Sequence, residues 1–272
     1  MQQRIGPVVL HVTMEMEPEW EEETNRWYDE EHLPEIMAVP GFISARRFIR
    51  VSGPPDRNPS QHLCIYEMAN ENVVLDRSYL TFHTGWKANP SLGTSWTKRV
   101  AMHFKSHRSL RRQVFPVRGV YTDHSGKPDK APVPEIGSSI EDAWTQPIGS
   151  AILHMLTTVE PNWEQEYLDW CDNVQTPALM TCPGFLSARR FLIRYDEDRG
   201  DASVVGHHTH LYLYQLANDL ALETDEYAKV RSSLDNSRTG ILGMVVENAS
   251  LYRQTFPASG TYDNHSGPGA NS

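Results

Sequence analysis

The sequence is short of cysteine, of positive charge and of long apolar runs. Its three cysteines are odd in number and lack CxxC spacing, which argues against a disulfide framework or a zinc knuckle. Lysine and arginine number 25 against 35 acidic residues, and the net charge of −10 disfavours nucleic acid and anionic lipid as partners. No apolar run approaches the roughly 20 residues that span a bilayer, and no signal-peptide core follows the N-terminus. We therefore expect a folded cytoplasmic protein.

An internal repeat with an offset of 143 residues is the strongest pattern in the sequence. Trp20–Phe48 and Trp163–Phe191 are identical at 15 of 29 positions and end on the same run, Ser-Ala-Arg-Arg-Phe. Such self-similarity indicates a duplicated unit. The intervening sequence contains prolines and serines without periodicity, as a linker does. The predicted units are a first half at 1–126, a linker at 127–147, a second half at 148–267 and a disordered tail at 268–272.

Each half shows the element order β-α-β-β-α-β. In the first half, periodicity predicts these elements at Val8–Met14, Glu17–Glu31, Phe42–Val51, His62–Met68, a helix within 70–103, and Ser109–Phe115. This is the split βαβ order of a ferredoxin-like sheet, so the fold class is α+β. Each sheet has one face without helices, and two such faces are expected to pack into one barrel within a single chain. The barrel then needs no second chain, although other surfaces could support a homo-oligomer.

Alternation along the strands predicts which side chains enter the space between the two sheets. In the first strand it points Leu10 and Val12 toward the helices and His11 into the space, with His154 at the matching place in the second half. The next two strands are expected to contribute Phe42, Ser44, Arg46 and Phe48, and then His62, Cys64 and Tyr66. An enclosed apolar space with a few polar groups is typical of a small-molecule site.

A family resemblance rests on the helix end and the strand that follows it. The run Trp27–Glu35 (WYDEEHLPE), followed by Val39–Phe42 and Ala45–Phe48, resembles EthD-type members of the dimeric α+β barrel superfamily, named for ethyl tert-butyl ether degradation. The resemblance covers both halves and implies a ligand cavity in each. Its members include cofactor-independent monooxygenases, polyketide cyclases, muconolactone-type isomerases, haem enzymes and proteins without known activity. The resemblance therefore implies a fold and leaves the reaction open.

Four residues of the first half are candidates for catalysis. The resemblance implies that His32 can line the cavity, and an imidazole titrates near neutral pH, as a general acid or base must. The matching residue of the second half is Gln175, which cannot exchange a proton at this pH. We expect His11 to carry or orient a second proton, Arg46 to stabilise an anion, and Tyr66 to donate a hydrogen bond. The structural alternatives are a helix cap for His32, a hydrogen-bonded core histidine for His11, and an ion pair with the first helix for Arg46.

Further candidates concern substrate and metal binding. Residues expected to contact substrate are Phe42, Phe48, His62, His83, His154 and Tyr214. His207, His208 and His210 form a local cluster in which His208 and His210 would share one strand face at a spacing that can bind a transition metal, but no carboxylate ligand is evident nearby. No haem attachment motif is present. We therefore expect neither a metal nor a bound organic cofactor.

These observations predict a cofactor-independent enzyme with acid/base chemistry on a small aromatic or polyketide-like carbonyl compound. Lyase, cyclase, isomerase and decarboxylase reactions all fit, and the contrast between His32 and Gln175 places the activity in the first half. No nucleophile elbow, P-loop or dinucleotide fingerprint occurs, which argues against phosphoryl and hydride transfer. Two alternatives remain: a cofactor-independent monooxygenase of a phenolic substrate, and a non-catalytic protein that binds a hydrophobic metabolite.

Overall fold

The computed structural model describes residues 2–53, 61–83, 94–101, 111–121, 130–131, 144–193, 195–196, 200–201, 208–237, 245–258 and 260–262. Most of the predicted linker and all of the predicted tail lie outside these residues. None of the helices within them has the length and apolar content needed to cross a membrane.

The described strands fall into two matching sets of four and several short pairs. In chain order they are β1 (Gln2–Ile5), β2 (Val8–Met14), β3 (Phe42–Ser52), β4 (His62–Met68), β5 (Arg111–Tyr121), β6 (Lys130–Ala131), β7 (Trp144–Pro147), β8 (Ala151–Val159), β9 (Phe185–Leu192), β10 (Tyr195–Asp196), β11 (Gly200–Asp201), β12 (His208–Leu216) and β13 (Val245–Phe256). The predicted bounds of β2 and β4 are confirmed, whereas β5 continues six residues beyond the predicted end at Phe115. The prediction stopped before Pro116, but the continuation of β5 is stabilised by pairing with β9 of the other half.

The two sets of strands form one nearly closed antiparallel barrel. The first half contributes the order β5-β2-β4-β3 and the second half contributes β13-β8-β12-β9. Each is the ferredoxin-like order in which the first and third strands lie in the middle. The halves join where β3 pairs with β13 and where β5 pairs with β9. The predicted α+β fold and the pairing of the two repeats within one chain are thereby confirmed.

The described helices lie outside the barrel. They are α1 (Glu21–Trp27), α2 (Leu33–Met37), α3 (Arg77–His83), α4 (Ser95–Ala101), α5 (Glu164–Trp170), α6 (Thr176–Met180) and α7 (Asp225–Ser237), with single 3₁₀ turns at Pro18–Trp20, Glu71–Leu75, Pro161–Trp163 and Asp219–Glu223. A π-turn links α1 to α2 at Tyr28–His32, and another links α5 to α6 at Cys171–Gln175. The predicted first helix therefore continues beyond Glu31, because Pro34 lies in the first turn of α2, where a missing N–H is tolerated.

The buried side chains of the described residues form three apolar clusters. One lies between the sheet and helices of the first half and includes Leu10, Val12 and Trp27. An equivalent cluster lies in the second half. The third lies in the barrel interior and joins both halves through Val9, Phe48, Leu63, Ile65, Phe115, Val117, Ile152, Phe191, Leu211, Leu213 and Tyr252.

The predicted faces are correct for β2 but wrong for β4 and for the start of β3. In β4, Leu63 and Ile65 point into the barrel, while Cys64 and Tyr66 pack against the helices. The prediction placed the more polar alternate residues inside the barrel, but the helix side of this sheet holds the hydroxyl groups. Phe42 also lies on the helix side, because a register shift between Phe42 and Ser44 interrupts the alternation of β3.

Candidate functional site

The structure divides the predicted catalytic residues between the two faces of the sheet. His11 and Arg46 lie in the barrel interior, whereas His32 and Tyr66 lie on the helix side of the first half. The predicted binding residues divide in the same way: Phe48 and His154 are inside the barrel, and Phe42, His62 and Tyr214 are on the helix sides. His83 is the last residue of α3, and its side chain lies outside the described part of the structure.

A pair of tyrosine hydroxyl groups lies at the centre of the helix-side layer. The Tyr66 hydroxyl donates to the Tyr28 hydroxyl at 2.9 Å, and both side chains are buried. Phe42 packs edge-on against Tyr66 at 5.7 Å between ring centroids and lies 5.8 Å from Tyr79. Burial raises the pKa of both Tyr28 and Tyr66 well above that of a free phenol. Both hydroxyls are therefore protonated at neutral pH and can donate hydrogen bonds.

His32 extends this aromatic layer to the protein surface. Its ring stacks on Trp27 at 4.6 Å and meets the edge of Tyr28 at 4.8 Å, and the side chain is partly exposed. His32 is the last residue of the π-turn, a feature that is frequent at functional sites because it alters side-chain direction within a helix. Tyr66, Tyr28 and His32 thus form a row from the buried sheet to a partly exposed imidazole.

Arg47 fixes the helix that carries Tyr28. Its guanidinium lies 4.4 Å from the Tyr28 ring centroid and bonds to Asp29 and to Asn25. The second half repeats this contact, since Arg190 binds Asp172 at 3.2 Å. The ion pair with the first helix that was the structural alternative for Arg46 is thus made by its neighbour.

The matching layer of the second half is built from different groups. Gln175 donates to the Tyr214 hydroxyl at 3.3 Å, and Thr176 lies 3.1 Å from the same hydroxyl. Cys171 and Tyr212 stand where the first half has Tyr28 and Cys64. Sequence reasoning did not select Tyr28 as a site residue. The sequence did contain a sign of it: where the first half has Tyr28 and Cys64, the second half has Cys171 and Tyr212, so tyrosine and cysteine have changed places.

Two histidines meet inside the barrel. Nε2 of His11 and Nε2 of His154 are 2.9 Å apart, and the nearly parallel rings have centroids 5.0 Å apart. Each side chain is only 1% exposed. Burial lowers the pKa of His154 to about 4, so the His154 ring is uncharged at neutral pH. This geometry fits a structural histidine pair that joins the two halves.

Two arginines of matched position also lie inside the barrel. Arg189 binds the Glu67 carboxylate through two hydrogen bonds of 2.8 and 2.6 Å. Arg46 instead donates to Gln215 Oε1 at 3.0 Å and to the Gly149 carbonyl at 3.5 Å. Both contacts cross between the halves. The guanidinium of Arg46 is engaged here and is separated by the sheet from His32 and Tyr66.

The remaining predicted histidines bind the first helix of each half. His62 Nε2 lies 3.3 Å from Glu21, and His210 Nε2 lies 2.9 Å from Glu164. Burial, with Arg47 nearby, lowers the pKa of His62 to about 4. His207 lies outside the described residues, and only the backbone of His208 is described. Within the described residues, no group of three or more His, Cys, Asp or Glu side chains could hold a metal ion.

The low pKa values of His62 and His154 predict that the protein loses stability in mild acid. Both folded-state values are about 4, below the ordinary 6.5, so the unfolded chain binds more protons between these pH values. The free energy of unfolding should therefore fall as the pH falls from about 6.5 toward 4, with His154 alone contributing about 2 kcal/mol between pH 7 and pH 5. Urea melts across this range test it, and His154→Gln should give a shallower slope. An equal slope in the variant would contradict the assignment.

The fold and the helix-side layers define the class of this protein: two fused ferredoxin-like repeats that share one barrel and carry their helices outside it. A solved anthrone oxidase-like protein is 14% identical, with a TM-score of 0.52 over 93% of this chain and 94% of that one. A candidate monooxygenase of Fusobacterium nucleatum subsp. nucleatum is 11% identical, with a TM-score of 0.47 over 95% and 98% of the chains. A ferredoxin fold protein of Listeria monocytogenes 4b F2365, related to antibiotic biosynthesis monooxygenases, is 8% identical, with a TM-score of 0.38 over 92% and 95%.

Sequence comparison gives a narrower result. A family described as a domain of unknown function (DUF4286) matches residues 7–83, which include α1, the π-turn and the first three strands of the barrel. No curated protein matches the sequence. The similarity to the anthrone oxidase-like structure shows the fold alone, and the reaction has to be argued from the site.

Proposed function

We propose that the first half is an enzyme that uses acid/base chemistry on a small aromatic or polyketide-like carbonyl compound, without a bound organic cofactor. The observation that carries the proposal is the buried Tyr28–Tyr66 hydroxyl pair, which lies in an aromatic layer that ends at the partly exposed His32. Aromatic walls with a few hydrogen-bonding groups suit a flat substrate that bears a carbonyl or a phenol. The resemblance to EthD-type proteins, which implies that His32 can line a cavity, supports His32 as a member of the site.

The proposed mechanism assigns one task to each of the polar groups. His32, as the neutral imidazole, removes a proton from a carbon or oxygen conjugated with the substrate carbonyl. The resulting enolate or phenolate oxygen accepts a hydrogen bond from the Tyr28 hydroxyl, which itself accepts one from Tyr66, and both phenols stay protonated because burial raises both pKa values. Return of the proton from His32 to another atom completes an isomerisation. In a cyclisation, the carbanion attacks a second carbonyl carbon of the substrate, and the alkoxide formed as that C=O π bond breaks takes the proton back from His32.

A second candidate is cofactor-independent oxygenation. The solved structure with the TM-score of 0.52 is named anthrone oxidase-like, and an anthrone is an aromatic ketone with an acidic C–H group. The same deprotonation would give an electron-rich anion that reacts directly with O₂. Oxygen consumption during turnover distinguishes this candidate from the acid/base reactions, which proceed unchanged under nitrogen.

The proposed site is tested by one pair of matched variants. Tyr66→Phe removes the hydrogen bond to Tyr28 and should lower turnover of an anthrone-type substrate about tenfold, as expected if that bond supports Tyr28 by about 1.4 kcal/mol in the transition state. Tyr214→Phe, its counterpart in the second half, should leave turnover near that of the wild type. Equal rates in the two variants would contradict a site in the first half. If no turnover is found, native mass spectrometry of the purified protein for a retained ligand distinguishes the non-catalytic binding protein.

The proposal keeps the division of the chain into repeats at 1–126 and 148–267. A single chain supplies both halves of the barrel, so activity should not depend on association with a second copy. Surfaces outside the barrel could still support a homo-oligomer. The net charge of −10 supports a small-molecule partner over a nucleic acid.

A further inference from the structure

Among the described residues, the side chains of the barrel interior carry more positive than negative charge. Arg46 and Arg189 are 3% and 1% exposed, and Glu67 is 3% exposed. Each guanidinium lies over a matched phenylalanine, Phe48 or Phe191, with 5.0 Å from its carbon to the ring centroid. Among the described residues, Glu67 is the carboxylate that faces them. One buried positive charge therefore has no negative charge of its own.

The imbalance follows from a single difference between the halves. The contacts of the two arginines repeat across the pseudo-twofold axis: Arg189 reaches Glu67 and the Gly6 carbonyl, while Arg46 reaches Gln215 and the Gly149 carbonyl. Gln215 holds the place that a second carboxylate would take. A neutral amide solvates the guanidinium without neutralising it, and buried charge is costly when it is not neutralised.

Gln215 also has hydrogen-bonding capacity that the described residues do not use. An arginine can only donate, so its contact with Arg46 fixes Oε1 toward the guanidinium and turns the NH₂ group the other way. Gln215 is 0% exposed, and its Nε2 has no hydrogen-bond partner among the described residues. Nε of Arg189 is also buried and has no hydrogen-bond partner among the described residues. Unpartnered N–H donors thus lie beside a charge that is not neutralised.

We infer that the barrel interior binds one small monovalent anion, with chloride as the probe, beside the Arg46 guanidinium and the Gln215 amide. One bound negative charge, together with Glu67, would balance the two positive charges of Arg46 and Arg189. The available groups are N–H donors, which a halide accepts without geometric demands. The surrounding walls are aliphatic and aromatic and offer little to the additional oxygens of a polyatomic anion. The site is separate from the helix-side layer and does not depend on the proposed activity.

The lowered pKa of Arg46 agrees with this assignment. The pKa of Arg46 is lowered to about 10, chiefly by burial, while Glu67 opposes the shift and Arg189 adds to it. Two guanidinium groups therefore compete for one carboxylate. An anion next to Arg46 would relieve this competition and stabilise the folded state by binding it selectively.

The test measures thermal unfolding of the full chain at constant ionic strength, while sodium gluconate is replaced stepwise by sodium chloride. The wild type should gain about 2–5 °C in melting temperature, with saturation, as expected for a ligand that binds only the folded state. Gln215→Glu supplies the missing carboxylate. This variant should melt higher than the wild type in gluconate and should not respond to chloride.

Arg46→Met provides a second test of chloride binding if Gln215→Glu does not fold. Arg46→Met removes the excess positive charge and should abolish the chloride response as well. Asp172→Asn, on the helix side, is the control and should respond to chloride as the wild type does. A wild type indifferent to chloride, or an undiminished response in Gln215→Glu or Arg46→Met, would overturn the inference.

Discussion

Replacing Glu67 by glutamine is expected to lower the free energy of unfolding by about 3–5 kcal/mol, the usual cost of removing one partner from a buried ion pair. The Glu67 carboxylate accepts two hydrogen bonds from Arg189 and a third, of 3.1 Å, from the Gly6 backbone N–H. Its loss would leave the two guanidinium groups without a carboxylate among the described residues of the barrel interior. Urea unfolding at pH 7 measures the effect.

The control for this prediction is the ion pair of Arg190 with Asp172 on the outside of the sheet. The Arg190 and Asp172 side chains are 11% and 12% exposed, so water can still reach both groups. Asp172→Asn should therefore cost clearly less than Glu67→Gln. Similar costs for the two variants would show that the interior carboxylate is not needed to neutralise the arginines.

The largest expected effect on activity is that of His32→Gln, which gives the first half the residue of the second. Loss of a general acid/base typically lowers turnover by about 10²-fold or more. His32 is partly exposed and packs against ring faces, so its replacement should change the melting temperature little. Steady-state kinetics with an anthrone-type substrate, beside thermal melts, separate catalysis from stability.

Gln175→Ala is the matched variant of the second half. Gln175 is buried and donates to Tyr214, so this change should cost stability while leaving turnover close to wild type. If the two variants lowered turnover by the same factor, the activity would not belong to the first half alone. If neither did, His32 would be a packing residue and the binding-protein alternative would gain support.

The fold was predictable because the repeat and the strand alternation can both be read from the sequence without knowledge of three-dimensional contacts. The identities between Trp20–Phe48 and Trp163–Phe191 indicate two copies, and a sheet with one bare face needs a second copy to cover it. The alternation of β2 also assigns His11 to the interior correctly. Partners could not be predicted in this way, since the contact of His11 with His154 depends on how the two sheets meet.

The candidate site was predicted in part. His32 and Tyr66 were selected, and the structure places both in one layer through Tyr28. The error in β4 arose because a rule that sends polar side chains to a cavity cannot tell which face of the sheet holds the cavity. The sequence His62–Met68 alternates equally well in either orientation, and only packing against α1 and the π-turn decides between them.

Both halves supply the barrel interior, whereas each helix-side layer comes mainly from one half. This difference limits where the two copies can diverge after duplication. Each pair of polar side chains described inside the barrel joins one half to the other, so a substitution there changes the environment of both. The layer that holds Tyr28 and Cys64 is built almost wholly from its own half. One copy could therefore exchange its phenol and thiol, and lose its imidazole, without disturbing the other. Substitutions in the shared interior affect both halves, whereas the helix-side layer of one half can change while the other half keeps its own.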